Sequence, residues 1–308
     1  MKIENVALLG AGAVGAYFIY GLSEKLGEHF CVCAKGSRKE RLEQEGLIIN
    51  GKAYFPNVKE PKEIGPVDLL LISTKQDGLA DSLDDIRLMV GENTIVLSLL
   101  NGVGSEELIG NAIGMEHMLY SFMRIASVRR GNEICFDPAI TAGLFFGERD
   151  QKVPTKRVQA VLELMGDTPV GCHFTEDILT EMWKKYAGNV SQNLPQAIAS
   201  VGFGAYSDSA HLGYIAKCLW KEVAKVAQAK GIPLSEELEL FTGSQNYARF
   251  STLQDLDAKR HTEIEIFAGE MIRMGNEYGI PVPYCEYTYH IIKALEEKND
   301  GKFAYEKE

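Results

Sequence analysis

Val6-Ala7-Leu8-Leu9-Gly10-Ala11-Gly12-Ala13-Val14-Gly15 is the stretch on which the reading of the whole chain turns. Four apolar residues run without a break into a G-x-G-x-x-G turn, and from Ala16 to Leu26 the apolar positions recur with helical spacing. The order is strand, glycine turn, helix. In that setting the first glycine allows the tight turn, the second lets backbone N–H groups approach a pyrophosphate, and the third lets the helix pack close on the strand. The diphosphate then rests at the helix N-terminus, where unpaired N–H groups and the helix dipole favour an anion. Gly10, Gly12, Ala13, Val14 and Gly15 are therefore the expected cofactor-binding residues of the turn. A glycine turn can also be purely structural. What favours a dinucleotide is the strand before it, the helix after it and a second apolar strand from Phe30 to Ala34.

The end of that second strand should carry an acidic residue if the ribose 2′-hydroxyl of NAD is to be held, about twenty residues beyond the glycines. Lys35 stands there instead, followed by Gly36, Ser37 and Arg38. Cations and a hydroxyl suit a 2′-phosphate, so Lys35 and Arg38 point to NADP(H) in preference to NAD. The plain alternative is a solvated charged turn, since Lys39, Glu40 and Arg41 continue the run.

Further along, Leu47 to Phe55 reads as a strand or hairpin. Val67 to Thr74 and Thr94 to Leu99 are near-continuous apolar runs of the kind that buried parallel strands give. The first leads into Lys75 and the second into Leu100-Asn101-Gly102. Ligands of open doubly wound sheets lie beyond the carboxyl ends of the strands, which puts Lys75 and Asn101 on the rim of the glycine turn as candidate binding residues. Each also has an ordinary reading, as a solvated lysine and a common Asn-Gly turn. His117 to Glu148 resembles edge strands completing the sheet, with a turn at Arg130-Gly131-Asn132, and Lys156 to Met165 reads as a helix. The expected organisation is α/β, a Rossmann-type doubly wound domain over residues 1–170 followed by an all-helical domain over 171–308.

In the second half, Met182 to Asn193 places Lys185, Asn189 and Asn193 at intervals of four. Steps of four overshoot a full helical circle by about 40°, so the three form a slowly winding stripe beside an apolar face. A lysine on a helix is ordinarily solvated. Pro195 should kink or end this helix. Lys230-Gly231-Ile232-Pro233 and Tyr278-Gly279-Ile280-Pro281 each place glycine just past a helix with proline soon after. Between them, Ser251 to Asp255 leads to a helix expected around Arg260-His261-Thr262-Glu263-Ile264-Glu265, with Asp255 as its cap and Arg260 to Glu263 as a surface pair.

The 308 residues leave room for two domains, and 45% hydrophobic with 24% charged residues is an ordinary globular composition. A formal net charge of -11 argues against nucleic acid or an anionic membrane as partner. The opening residues lack the apolar core of a signal peptide, and no run of residues suits a membrane helix. Six cysteines without zinc-site or Cys-x-x-Cys spacing read as reduced core thiols of a cytoplasmic protein, and no metal site is expected.

Taken together, Gly10-x-Gly12-x-x-Gly15, Lys75, Asn101-Gly102, Trp183-x-Lys185-x-x-x-Asn189-x-x-x-Asn193, and Ser251-x-x-x-Asp255 followed by Arg260-x-Thr262-Glu263 resemble the ketopantoate reductase (2-dehydropantoate 2-reductase) family. The resemblance implies a nucleotide-binding domain joined to a helical one, substrate in the cleft between them, and reduction of a 2-oxo acid by NADPH. It implies that Lys185 is the general acid and that Glu263 lies close to it. Asn101, Asn189, Asn193 and Ser251 would hold substrate, with Lys75 near cofactor and substrate. The chain departs from the pattern at Leu100, where the family commonly has Gln, and at Lys35, where it commonly has Arg. Ketopantoate, on the way to pantothenate and coenzyme A, is the first substrate expectation. Another branched 2-oxo acid is the second, and a non-catalytic NADP(H) sensor the third. Retention of Lys185 and Glu263 argues against a sensor, which needs no proton donor. A homodimer is a compatible assembly.

Overall fold

The structure, a computed structural model, describes residues 1–75, 78–241, 245–303 and 305. The chain divides into two compact units, Met1–Leu179 and Thr180–Glu308. The break therefore falls later than 170. The reason is β12 (Cys172–Phe174), which pairs in parallel with β11 (Gly143–Gly147) and so belongs to the first unit's sheet.

In the first unit β1 (Val6–Leu9) sits between β2 (Phe30–Cys33) and β6 (Leu69–Ile72), parallel to both. With β5 (Asn57–Lys59), β7 (Ile95–Ser98) and β8 (Met118–Arg124) the sheet has eight strands in the order β12-β11-β8-β7-β6-β1-β2-β5. Only β8 with β11 is antiparallel. The unbroken apolar runs follow from this position, because a strand covered on both faces has no solvent side. Side chains alternate between the faces. Val6, Leu8, Leu69, Leu71 and Leu97 face α1 (Ala13–Leu26) and α6 (Lys156–Gly166), whereas Ala7, Leu9, Leu70, Ile72 and Val96 face α4 (Leu83–Met89) and α5 (Ser105–Ile113). Cys31 and Cys33 share the second face. Cys285 is also buried, but Cys135 is exposed and so is not a core thiol.

A second sheet, of four strands, was not expected. Its order is β4 (Lys52–Tyr54), β3 (Leu47–Ile49), β10 (Glu133–Phe136), β9 (Ser127–Arg130). The predicted hairpin is β3 and β4, joined by Asn50-Gly51 with φ of 49° and 80°, the two-residue turn that Asn-Gly favours. From the 117–148 region only β8 and β11 complete the large sheet. β9 and β10 fold back at Gly131 and pair with each other and with β3 instead.

All the regular structure among the second unit's described residues is helical. α7 (Ile178–Gly188) runs into a π-helical turn, Asn189–Asn193, and on into α8 (Leu194–Ala199). Pro195 does not end the helix. It lies in the first turn of α8, directly after the π turn. The remaining elements are α9 (Ala205–Asp208), α10 (Ala210–Ala229), α11 (Ser251–Asp257), a second π-helical turn Glu265–Gly269, α12 (Glu270–Tyr278) and α13 (Pro283–Asn299). α10 packs against the first π turn, α12 and α13. Both glycine stop signals are used, with φ of 80° at Gly231 and 66° at Gly279. The helix expected across Arg260–Glu265 is absent. That segment is a turn, Lys259 has φ 53°, and helical geometry resumes at Glu265.

Candidate active site

The carboxyl ends of β1, β2, β6 and β7 lie along one edge of the sheet, so the glycine turn, Lys35, Lys75 and Asn101 share a rim. The chain leaves β1 toward β2 on one side and returns to β6 on the other, which makes this the switch point where doubly wound sheets take ligands.

The three glycines have separate reasons. Gly10 has φ 102°, and a Cβ there would stand 2.6 Å from the Ser73 carbonyl oxygen. A Cβ at Gly15 would stand 2.1 Å from the Gly10 carbonyl oxygen. At Gly12 nothing lies within 4 Å of that position, so the space above the turn is open. Gly12 caps α1 without any side-chain bond, and the first turn holds no acidic residue. Uncapped N–H groups beside open space fit a diphosphate. Ser73, which the sequence reading passed over, pins the turn: its Oγ donates to the Gly10 carbonyl at 2.5 Å and its N–H to Leu9 at 2.8 Å. Next to it the buried Thr74 hydroxyl has no partner among the described residues, a polar atom that a bound cofactor could satisfy.

Lys35 is exposed at the start of α2 (Gly36–Glu45), and its ammonium meets Asp85 of α4 at 2.6 Å. The hydrogen bond it donates to Asp85 holds the Lys35 pKa above its ordinary value. Arg38 is exposed one turn on, and Lys75 is exposed after β6. Asn101 is half-buried in the loop between β7 and α5, followed by Gly102 with φ 96°. A buried network holds that loop. Ser98 Oγ and Ser105 Oγ are 2.8 Å apart, and Ser105 donates to Glu106 at 2.9 Å. Burial pushes the Glu106 carboxyl up to about 7.

In the second unit Lys185 is half-buried on α7, while Asn189 and Asn193 are buried. Within this stripe of three, Asn193 Nδ2 donates to Asn189 Oδ1 at 3.2 Å. Asn193 Oδ1 is buried with no partner among the described residues. Two glutamines that the sequence reading did not single out secure this region. Gln192 donates to the Glu239 carbonyl at 2.9 Å and accepts from the Phe241 N–H at 2.9 Å, and Gln196 does the same with Ala248 and Phe250 at 3.0 and 2.8 Å. They tie the π turn to Glu239 and Phe241 and α8 to Ala248 and Phe250, the latter next to Ser251, exposed as the first residue of α11. Their own spacing of four on a buried face was the available signal.

Asp255 does not cap a following helix. It takes Arg260 Nε at 2.9 Å and Nη2 at 2.7 Å, so Arg260 pairs backward with Asp255. Glu263 is half-buried. The residue before it is clamped, because Thr262 N and Oγ1 each donate to Glu296 of α13 at 2.7 Å. Tyr186 joins α7 to the second π turn by donating to the Phe267 carbonyl at 2.7 Å. Among the described residues no group of His, Cys, Asp and Glu could hold a metal, and no helix is long and apolar enough to cross a membrane.

A glycine turn on an α/β sheet and a Lys-Asn-Asn stripe in a helical unit agree with comparison to known proteins. The profile described as "Ketopantoate reductase PanE/ApbA" matches residues 6–147, and its C-terminal counterpart matches 177–296. The chain belongs to the ketopantoate reductase family, a family of oxidoreductases. It is 28% identical to the 2-dehydropantoate 2-reductase of Pyrococcus horikoshii, over 96% of this chain and 99% of that one. Among solved structures it is similar to D-mandelate dehydrogenase with NADH and anilino(oxo)acetate, with a TM-score of 0.79 at 23% identity. It is also similar to the dimeric ketopantoate reductase of Staphylococcus aureus, with a TM-score of 0.76 at 19% identity. Each alignment covers 96% of this chain and 99% of the other, so the likeness is one of whole folds.

Proposed function

We propose that this protein catalyses the NADPH-dependent reduction of 2-dehydropantoate to pantoate, the step that leads toward pantothenate and coenzyme A. The observation that carries the reading is the buried Asn189–Asn193 pair with its unpartnered Asn193 Oδ1, on the same helical stripe as Lys185. A buried amide oxygen without a donor costs free energy until a ligand supplies one. The carboxylate and carbonyl of a 2-oxo acid only accept, whereas the hydroxyl of 2-dehydropantoate can donate.

Bound at the glycine turn, the reduced nicotinamide would supply hydride to the carbonyl carbon. Negative charge then grows on the carbonyl oxygen, and Lys185 both stabilises it and delivers the proton. Asn101, Asn189, Asn193 and Ser251 orient the substrate. Glu263 favours the protonated ammonium and sets its direction, offsetting what partial burial does to a lysine. Lys75 binds on the cofactor side, and Lys35 and Arg38 stand at the 2′-phosphate end. The working assembly would be a cytoplasmic homodimer, the dimeric state being that named for the Staphylococcus aureus relative.

A second reading, reductase of another branched 2-oxo acid, has one observation of its own. Leu100 stands where the family commonly has Gln, and it is buried in the apolar cluster. The position before Asn101 thus offers no polar side chain. Steady-state NADPH oxidation with 2-dehydropantoate, its analogue lacking the hydroxyl and an aromatic 2-oxo acid decides between them. The first reading expects 2-dehydropantoate to have the highest kcat/KM by at least about tenfold, as one well-made polar contact provides. Preference for the analogue supports the second reading, and cofactor binding without turnover of any of them would show a sensor.

A further inference from the structure

The 2′-phosphate end of the cofactor site has a cation that local spacing does not disclose. We propose that Arg129 of β9, together with Arg38 and Arg41 of α2, forms the pocket for the 2′-phosphate of the adenosine ribose, and that Arg129 rather than Lys35 sets the preference for NADPH over NADH. The inference rests on the reading that the cofactor is NADP(H).

The arrangement begins with what Lys35 is already doing. Its ammonium is 2.6 Å from Asp85, whose side chain is only 16% exposed, so the positive charge is largely offset within the protein. Arg129 is placed differently. Its Nη1 donates to the carbonyl of Ala11, inside the glycine turn, at 3.3 Å, and its Nε donates to the Gly131 carbonyl at 2.9 Å. Two backbone oxygens thereby orient the guanidinium against the turn that carries the diphosphate, leaving the remaining N–H groups for an anion. The second sheet, of which β9 is an edge strand, is what brings this side chain there.

Arg38 and Arg41 lie one helical turn apart on α2, which follows the β2 end where the ribose hydroxyls are read. Partial burial, then the charges of Arg41 and Arg38, lower the Arg129 pKa, which records how these cations face one another. Among the described residues neither Arg38 nor Arg41 meets a carboxylate, although the chain has 43 acidic residues against 32 basic ones. Three guanidinium groups gathered without a counter-charge are costly unless an anion completes them. A phosphate monoester, with a charge of about −1.5 to −2 and three acceptor oxygens, matches that need. The bare 2′-hydroxyl of NADH offers no charge and would leave the trio uncompensated.

The test is direct binding of NADPH, NADH and adenosine 2′,5′-bisphosphate to the full chain, for wild type, Arg129→Gln, Arg129→Lys and Lys35→Gln. Arg129→Gln is expected to weaken NADPH and the bisphosphate about 10- to 100-fold, the range of one charge-assisted contact, with NADH unchanged. Arg129→Lys should recover part of the loss, and Lys35→Gln should shift NADPH less than Arg129→Gln does. If wild type prefers NADPH and Arg129→Gln keeps that preference, the inference is overturned while the NADPH reading stands. Equal weakening of NADPH and NADH with a lowered Tm would also overturn it, making Arg129 a prop of the turn. Absence of any preference in the wild type would remove the NADPH reading and the inference with it.

Discussion

The glycine turn at Gly10–Gly15 and the π-helical turn at Asn189–Asn193 acquire their shapes by opposite means. In the first, the backbone does the shaping and missing side chains permit it: Gly10 and Gly15 crowd the end of β6, and Gly12 leaves open space. In the second, side chains do the shaping. All five residues are buried, Gln192 is clamped by Glu239 and Phe241, and the Gln192 carbonyl accepts from the Tyr206 hydroxyl. A π turn inserts one residue into the helical ladder and disturbs its bonds, and such turns persist where neighbours take up the displaced groups. The first region should therefore resist an added atom at Gly10 or Gly15. The second should tolerate small changes of volume but resist loss of a polar group.

Functional substitutions can break this contrast most sharply. On the proposed chemistry, Lys185→Ala removes the proton donor and nothing from the glycine turn. Turnover should fall by about 10²-fold or more while the affinity for NADPH stays at the wild-type value. Near-normal turnover in a steady-state assay would remove Lys185 from the chemistry. Gly10→Ala should behave in the opposite sense. The added methyl must sit 2.6 Å from Ser73 O at φ 102°, so about 2–4 kcal/mol of stability should be lost, with cofactor binding weakened through the displaced turn. Urea unfolding reads the first effect and a cofactor titration the second. An unchanged midpoint would show that the turn can relax, and that the contrast with the π turn is overstated.

The same contrast explains what could be read in advance. Strand, turn and helix at Val6–Leu26 need only adjacent residues, and the rim positions of Lys75 and Asn101 follow from parallel strands. The hairpin at Asn50-Gly51 is equally local. What escaped depends on partners far along the chain. β12 closes the sheet beside β11, β9 and β10 leave the large sheet for β3, and Lys35 finds Asp85. Pro195 is a sound signal for a helix end, but the chain passes through the π turn into α8 without stopping. Asp255 reads as a helix cap, but it takes the Arg260 guanidinium instead because no helix spans 260–265. For the candidate site, the residue types were legible in the spacing. The supports, Ser73, Gln192, Gln196 and Glu296, were not, since each acts through a bond to backbone distant in sequence.

Glu296 offers the smallest and most pointed test of the side-chain route. It is 2% exposed and holds Thr262 N and Oγ1 at 2.7 Å, with Lys293 at 3.0 Å, immediately before Glu263. Burial works against its charge, but the Thr262 bonds and Lys293 outweigh burial and keep its pKa below the usual carboxylate value. A carboxyl depressed in the folded state binds fewer protons there than in the unfolded chain. Its contribution is thus complete above the unfolded pKa and is lost as pH falls through the lower folded value. Glu296→Gln should cost about 1–2 kcal/mol at pH 7, after allowance for the partly exposed Lys293, and progressively less below pH 4. Unfolding midpoints of the two proteins should therefore converge in acid. A gap that is constant with pH would mean that the side chain contributes by shape alone. If the Thr262–Glu263 turn also serves Lys185, the variant should in addition lower kcat more than it raises KM, whereas an intact kcat would leave Glu296 a purely structural clamp.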